Sequence, residues 1–114
     1  MKYKESEIIE FKKSTSQLKE AVIAVAAILN KHGKGKVYFG IKNDGSIIGQ
    51  EIGENTVREI SQAVTDNIEP RIFPKITVQK IRGKTCVTVI FSGSAMPYFA
   101  FGRAYMRVGD ENKQ

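Results

Sequence analysis

The clearest chemical signal in the sequence is a set of basic and aromatic residues in two segments, 31–36 and 103–107. The segment 31–36, Lys-His-Gly-Lys-Gly-Lys, places glycines between lysines, so backbone N–H groups can approach phosphates beside the charged side chains. Near the other end, Arg103, Tyr105 and Arg107 alternate on one face of a predicted strand, where they could hold a phosphate backbone and stack a base. The candidate nucleic-acid-binding residues are Lys12, Lys13, Lys31, Lys34, Lys36, Lys42, Arg103, Tyr105 and Arg107.

The same residues also have structural explanations. Cations are favoured at the C-terminal end of a helix by about 0.3–1 kcal/mol, and the lysines of 31–36 follow a predicted helix. Tyr105 could be a core residue flanked by two solvated arginines. In contrast, Lys12 and Lys13 precede a helix, where positive charge is unfavourable, and this favours a binding partner for them.

Two other kinds of site are disfavoured by the residue types. Gly40 and Gly45 have the glycine spacing of a phosphate-binding loop, but the lysine and hydroxyl residue that should follow are missing, and a strand rather than a helix is predicted next. His32 and Cys86 are the only residues of their types, so they are too few for a zinc site. We expect His32 to serve the end of a helix and Cys86 to pack inside a strand.

The net charge of +6 is unevenly distributed along the 114 residues. Residues 1–50 carry nine lysines against five acids, residues 51–70 one arginine against five acids, and residues 71–114 eight basic residues against two acids. No acid occurs from Arg71 to Gly109. A surface normally mixes both signs, so this pattern predicts one basic face, opposite an acidic helix, and an anionic partner.

The hydrophobic pattern predicts an α+β (mixed α/β) fold with a single mixed β-sheet and two helices, in the order β-α-β-β-α-β-β-β. Ser14 with Gln17 predicts a capping box, with Thr15 or Ser16 as alternative caps, before a helix that is apolar nearly all round. Gly33 is expected to end this helix. The turn Asn43-Asp44-Gly45 predicts a hairpin. The predicted strands are 8–11, 37–41, 46–49, 76–81, 85–91 and 104–108, and the helices cover 18–31 and 56–69.

Several motifs occur in an order that resembles the Schlafen AlbA-type DNA-binding domain family. They are Glu5 followed by Glu10-Phe11-Lys12, the helix end Asn30-Lys31-His32-Gly33, the run from Val37 to Gly49, Pro97-Tyr98, and Ala104 to Gly109. The resemblance covers nearly the whole chain. It implies a DNA-binding module of a transcriptional-regulator-like protein, often followed by a helix-turn-helix segment.

The resemblance also implies an alternative function, a metal-dependent nuclease. In animal Schlafen proteins two glutamates and one aspartate hold a divalent metal, and Glu5, Glu10 and Asp44 match those positions. Relatives often carry further acids where Lys42 and Asn43 stand here. A lysine would repel the cation, so the site looks incomplete. We therefore assign no catalytic residue and no cofactor, and keep Mg²⁺ or Mn²⁺ as the ions that such a site would need.

The sequence thus predicts one domain, residues 1–114, that binds nucleic acid (DNA in the first place) mainly through phosphates, with strong salt dependence. Neither predicted helix suits the major groove, since one is buried and the other acidic. A third hypothesis, besides nucleic-acid binding and the nuclease, is a protein-interaction or dimerisation module that forms a homodimer. We expect a cytoplasmic protein without a membrane partner, and the first domain of a longer chain.

Overall fold

The computed structural model describes residues 3–114, the whole predicted domain except its first two residues. The helices and strands of residues 3–114 confirm the α+β class. No helix of these residues is long and apolar enough to cross a membrane. The helices are α1 (Leu18–His32) and α2 (Thr56–Asn67). The strands are β1 (Ile9–Lys12), β2 (Lys34–Phe39), β3 (Ile68–Glu69), β4 (Lys75–Ile81), β5 (Lys84–Ser92), β6 (Phe99–Ala100), β7 (Arg103–Ala104), β8 (Met106–Val108) and β9 (Glu111–Lys113).

The main sheet has four strands in the order β1-β2-β5-β4. β1 and β2 are parallel and are joined by α1, because a parallel pair needs a crossover connection. β5 runs antiparallel to both β2 and β4, with Lys36 opposite Ile90 and Ile90 opposite Lys75. This register places side chains from β2, β5 and β4 in one row across the sheet.

Helix α1 begins and ends where the sequence predicts. The Ser14 hydroxyl accepts the N–H of Ser16 at the start of a 3-10 turn, Thr15–Gln17, and the Gln17 side chain accepts the N–H of Lys13. Gly33 ends the helix with φ 75°, a left-handed conformation that suits glycine. The helix is buried nearly all round, as its apolar pattern predicts.

Gly35 has a packing role between two exposed lysines. A Cβ at this position would lie 2.7 Å from the Ile28 side chain of α1 and 2.8 Å from the Ile8 carbonyl oxygen. The glycine therefore lets α1 and the segment before β1 approach β2 closely. Because side chains alternate along a strand, Lys34 and Lys36 lie on the opposite, exposed side of β2.

The predicted strand 46–49 does not form. The chain reverses at 43–45, but Ile41 and Ile47 make only an isolated bridge. The N–H groups of Ile48 and Gly49 both donate to the Gly40 carbonyl, and Gly49 has φ 72°. This left-handed residue turns the chain away before a second strand can extend.

The prediction of a single sheet is also wrong, because β3-β6-β7 and β8-β9 form two small separate sheets. The predicted strand 104–108 breaks at Tyr105, whose carbonyl accepts from the Asn30 side chain of α1 rather than from a neighbouring strand. The polar segment after Gly109 pairs as β9 with β8.

The two faces of the main sheet are covered differently. One face packs beneath α1 and α2 and forms the larger core. The other is covered at one end by a small cluster of Phe11, Ile41, Ile81 and Cys86. At its other end the sheet leaves side chains exposed, and we call this region the open sheet face: Lys34, Lys36, Lys75, Ile90 and Ser92.

Candidate functional site

The side chain of Arg107 is fully buried and forms an ion pair with Glu10. Its Nη1 lies 2.6 Å from Glu10 Oε1, and the Nζ of Lys12 lies 2.9 Å from Glu10 Oε2. Glu10 is 4% exposed, so this carboxylate is held inside the protein with a cation on each oxygen. Such pairing is what allows a charged group to be buried.

Arg107 also ties β8 to the segment before β1. Its guanidinium donates to the carbonyl oxygens of Ser6 at 2.7 Å, Ile9 at 3.1 Å and Glu7 at 3.2 Å. Its Nη1 donates to Asn112 Oδ1 of β9 at 2.8 Å. We call this set of contacts, centred on Arg107 and Glu10, the Arg107 clamp.

The prediction that Arg103, Tyr105 and Arg107 share one strand face is therefore wrong. Arg103 is exposed, Tyr105 packs partly buried against the larger core, and Arg107 is inside the clamp. The strand break at Tyr105 removes the regular alternation on which the prediction rested. Of these three residues, only Arg103 offers its charge to solvent.

Glu5 approaches Glu10 from outside β1. Its Oε2 accepts the N–H of Phe11 at 2.9 Å. Burial raises the pKa of the Glu5 carboxyl, and the nearby Glu10 charge raises it further, against the lowering effect of the Phe11 N–H. The two glutamates thus do come together.

Asp44 does not complete a metal site with them. Its Oδ1 accepts the N–H of Ser46 within the turn. Hydrogen bonding to the Ser46 side chain, and then to this N–H, lowers the pKa of the Asp44 carboxyl. Across residues 3–114, no three His, Cys, Asp or Glu side chains are grouped as metal ligands. Because cations already occupy both oxygens of Glu10, these residues do not fit Mg²⁺ or Mn²⁺.

Lys31 and His32 contact a carboxylate at the end of α1. Glu7 lies 2.8 Å from Lys31 Nζ and 2.8 Å from His32 Nε2, and it accepts the N–H of Gly109 at 3.0 Å. These partners, Lys31 first, lower the pKa of Glu7 to about 2. Lys31 is therefore engaged within the protein, and His32 lies at the helix end where it was expected.

The remaining basic candidates are exposed but lie in different parts of the fold. Lys13 follows β1, and Lys42 lies in the turn after β2. Lys34 and Lys36 lie on the open sheet face, in the company of Lys75 from β4. Within the part of the chain that the structure describes, Lys34, Lys36 and Lys75 form no ion pair.

A groove of about 560 Å³ runs along the open sheet face. The sequence did not single out Lys75, Phe73 and Ile90, which form part of the groove wall. The only sequence feature that pointed to this region was the acid-free stretch after Arg71. Phe73 is 81% exposed, far more than any other large apolar side chain of residues 3–114. The groove is lined by Ile8, Ile9, Lys34, Gly35, Lys36, Phe73, Lys75, Ile90, Phe91 and Ser92.

The fold and site define a small α+β domain with a basic, partly apolar sheet face. The sequence profile of the Schlafen, AlbA_2 family matches residues 5–114, and the chain belongs to this family. No curated protein matches the sequence.

Two solved structures show the same fold. The DIP2311 protein from Corynebacterium diphtheriae superposes with a TM-score of 0.76 at 20% identity, over 94% of this chain and 22% of that one. The N-terminal domain of a protein from Nitrosomonas europaea, described as related to the ATP-dependent DNA helicase RecG, superposes with a TM-score of 0.63 at 21% identity. That match covers 93% of this chain and 81% of the domain. This chain therefore spans about a fifth of the DIP2311 protein.

Proposed function

We propose that this domain binds nucleic acid, DNA in the first place, through phosphate contacts on the open sheet face. The observation that carries the proposal is the set of three lysines, Lys34, Lys36 and Lys75, that share one face without an acidic partner within residues 3–114. Membership in the Schlafen, AlbA_2 family and the likeness to a domain of a DNA-helicase-related protein support a nucleic-acid-associated domain.

The distribution of charge in the fold supports the same proposal. The acids of α2, such as Glu59 and Asp66, lie on a helix that packs against the α1 side of the main sheet. The sheet therefore separates them from the open sheet face. A phosphate backbone that approached the lysines would meet a positive potential there.

The shape of the open sheet face indicates how nucleic acid would be recognised. Both helices of the described chain pack on the opposite face of the sheet, so neither is presented for insertion into a major groove. Affinity would come from counterion release rather than from base-edge contacts. In a transcriptional-regulator-like protein, such a domain would supply affinity rather than sequence readout.

The proposal is tested by the salt dependence of duplex DNA binding, measured by fluorescence anisotropy. For Lys75→Gln, we expect the slope of log K against log salt to fall in magnitude by about one, the contribution of one phosphate contact. The matched control is Lys80→Gln, since Lys80 is an exposed lysine of the same strand on the other side of the sheet. Equal effects of the two variants, or binding that does not depend on salt, would reject the open sheet face as the binding surface.

A further inference from the structure

Phe73 is held in solvent by its neighbours in the chain. Its side chain is 81% exposed, whereas the adjacent Ile72 is 5% exposed and belongs to the larger core. Pro74 follows and fixes its own backbone φ. The ring is therefore displayed from an anchored position rather than from a loose end, which is the arrangement of a preorganised contact residue.

Apolar and basic side chains alternate beside this ring. Ile8 and Ile90 are each more than a third exposed, and they lie in the groove among Lys34, Lys36 and Lys75. Adjacent strands are about 4.8 Å apart, so Lys36 and Lys75 stand about 10 Å from each other with Ile90 between them. Among residues 3–114, no acidic side chain lines the groove.

We propose that the open sheet face, with Phe73, binds single-stranded nucleic acid, with a base stacked on the Phe73 ring and phosphates on the three lysines. The inference rests on the proposed function and specifies its substrate class. A single strand offers both flat apolar bases and phosphates, which matches the mixture of apolar and basic side chains in the groove. A duplex presents mainly phosphates on its outside and would leave the apolar side chains without a partner.

An acidic protein segment is the other occupant that the charge would accept. The single strand is favoured because an aromatic ring exposed beside lysines provides a stacking surface for any base, whereas a carboxylate gains nothing from the face of a phenyl ring. A carboxylate-rich peptide is therefore used below as a competitor of the single strand.

The experiment measures the affinity of an oligothymidylate and of a hairpin duplex by fluorescence anisotropy at one fixed low salt concentration. Phe73→Ala should weaken oligothymidylate binding about tenfold, equivalent to about 1.4 kcal/mol, and leave duplex binding unchanged. Phe73→Tyr keeps the ring and should retain the affinity. Phe99→Ala is the matched control, since Phe99 is also exposed but belongs to the separate small sheet.

The outcomes separate this inference from the proposed function. If Phe73→Ala binds the oligothymidylate as tightly as the wild type while Lys36→Gln and Lys75→Gln weaken both ligands, stacking is overturned and phosphate binding stands. If a polyglutamate peptide displaces the oligothymidylate as well as an unlabelled strand does, the single-strand assignment is overturned. If neither nucleic acid binds at low salt, the proposed function itself fails. Thermal unfolding of each variant checks that it folds, and the exposure of Phe73 predicts an unchanged midpoint.

Discussion

The Arg107 clamp and the open sheet face are both rich in basic side chains, but they use them differently. In the clamp, Arg107 and Lys12 each lie within 3 Å of a carboxylate oxygen of Glu10. On the open sheet face, Lys34, Lys36 and Lys75 project into solvent and form no ion pair within residues 3–114.

Solvation explains the difference between the two regions. A buried guanidinium that lacked partners would cost several kcal/mol in lost hydration, so Arg107 is held by a carboxylate, an amide and three carbonyl groups. An exposed lysine keeps its hydration and needs no partner in the fold. Charge that the fold does not use remains available to a ligand, and this distinguishes a binding residue from a structural one of the same type.

The largest expected effect is the loss of stability when the clamp is opened. Arg107→Met leaves Glu10 buried with Lys12 as its remaining charged partner, and should lower the free energy of unfolding by about 3–5 kcal/mol in a urea titration. The control is Arg103→Met, which removes an exposed arginine and should cost less than about 0.5 kcal/mol. Similar losses for the two variants would mean that burial does not distinguish these arginines.

A smaller effect is expected at Glu7, and it should depend on pH. Its pKa is lowered to about 2 in the folded protein from 4.5, so its contribution is present above about pH 4.5 and is lost as the pH falls toward 2. Glu7→Gln should therefore be less stable than the wild type near pH 7, and the difference should vanish in acid, as measured by thermal unfolding across this range.

Glu5→Gln provides the opposite control, because burial raises the pKa of Glu5 and penalises its charged form in the folded state. The stability of this variant relative to the wild type should be highest near neutral pH and should fall as acid protonates Glu5 in the wild type. The same pH trend for both variants would contradict the assignment of Glu7 to an attractive contact and of Glu5 to a site whose burial disfavours its charge.

The smallest expected effect on stability belongs to the open sheet face. Lys36→Gln should change the free energy of unfolding by less than about 0.5 kcal/mol, because its exposed side chain has no ion-pair partner within residues 3–114. Urea titration of this variant beside Arg107→Met compares the two regions directly. A loss above 1 kcal/mol would show that the lysine serves the fold and would weaken its assignment to a ligand.

Features with a local or repetitive signal were predictable from the sequence. Helical periodicity located α1, and Gly33 its end, because both depend on residues within a few positions of each other. The hydrophobic pattern located β4 and β5 to within one residue at each end. The strand predicted at 46–49 was wrong because hydrophobicity and a turn signal do not reveal that Gly49 bends the chain toward Gly40.

The candidate site was less predictable because its residues meet through long-range pairing. Lys36 and Lys75 are placed in one row, on either side of Ile90, only by the registers of β2 and β4 with β5. Phe73 resembles any core phenylalanine in the sequence, but it is exposed while the adjacent Ile72 occupies the core. Nothing within a short window distinguishes the two residues.

The sequence by itself determined the α+β class, the buried first helix and the excess of positive charge, because composition and short-range periodicity carry that information. Its ordered motifs also resembled the Schlafen family, which the match over residues 5–114 confirms. Only the tertiary structure decided which cations serve the fold and which face solvent. Arg107 and Glu10 are 97 positions apart, and their pairing follows from the packing of β8 against the first strand segment. The physical reason is that a buried charged side chain needs a partner within the protein, whereas an exposed one does not. Which side chains are buried depends on the complete fold.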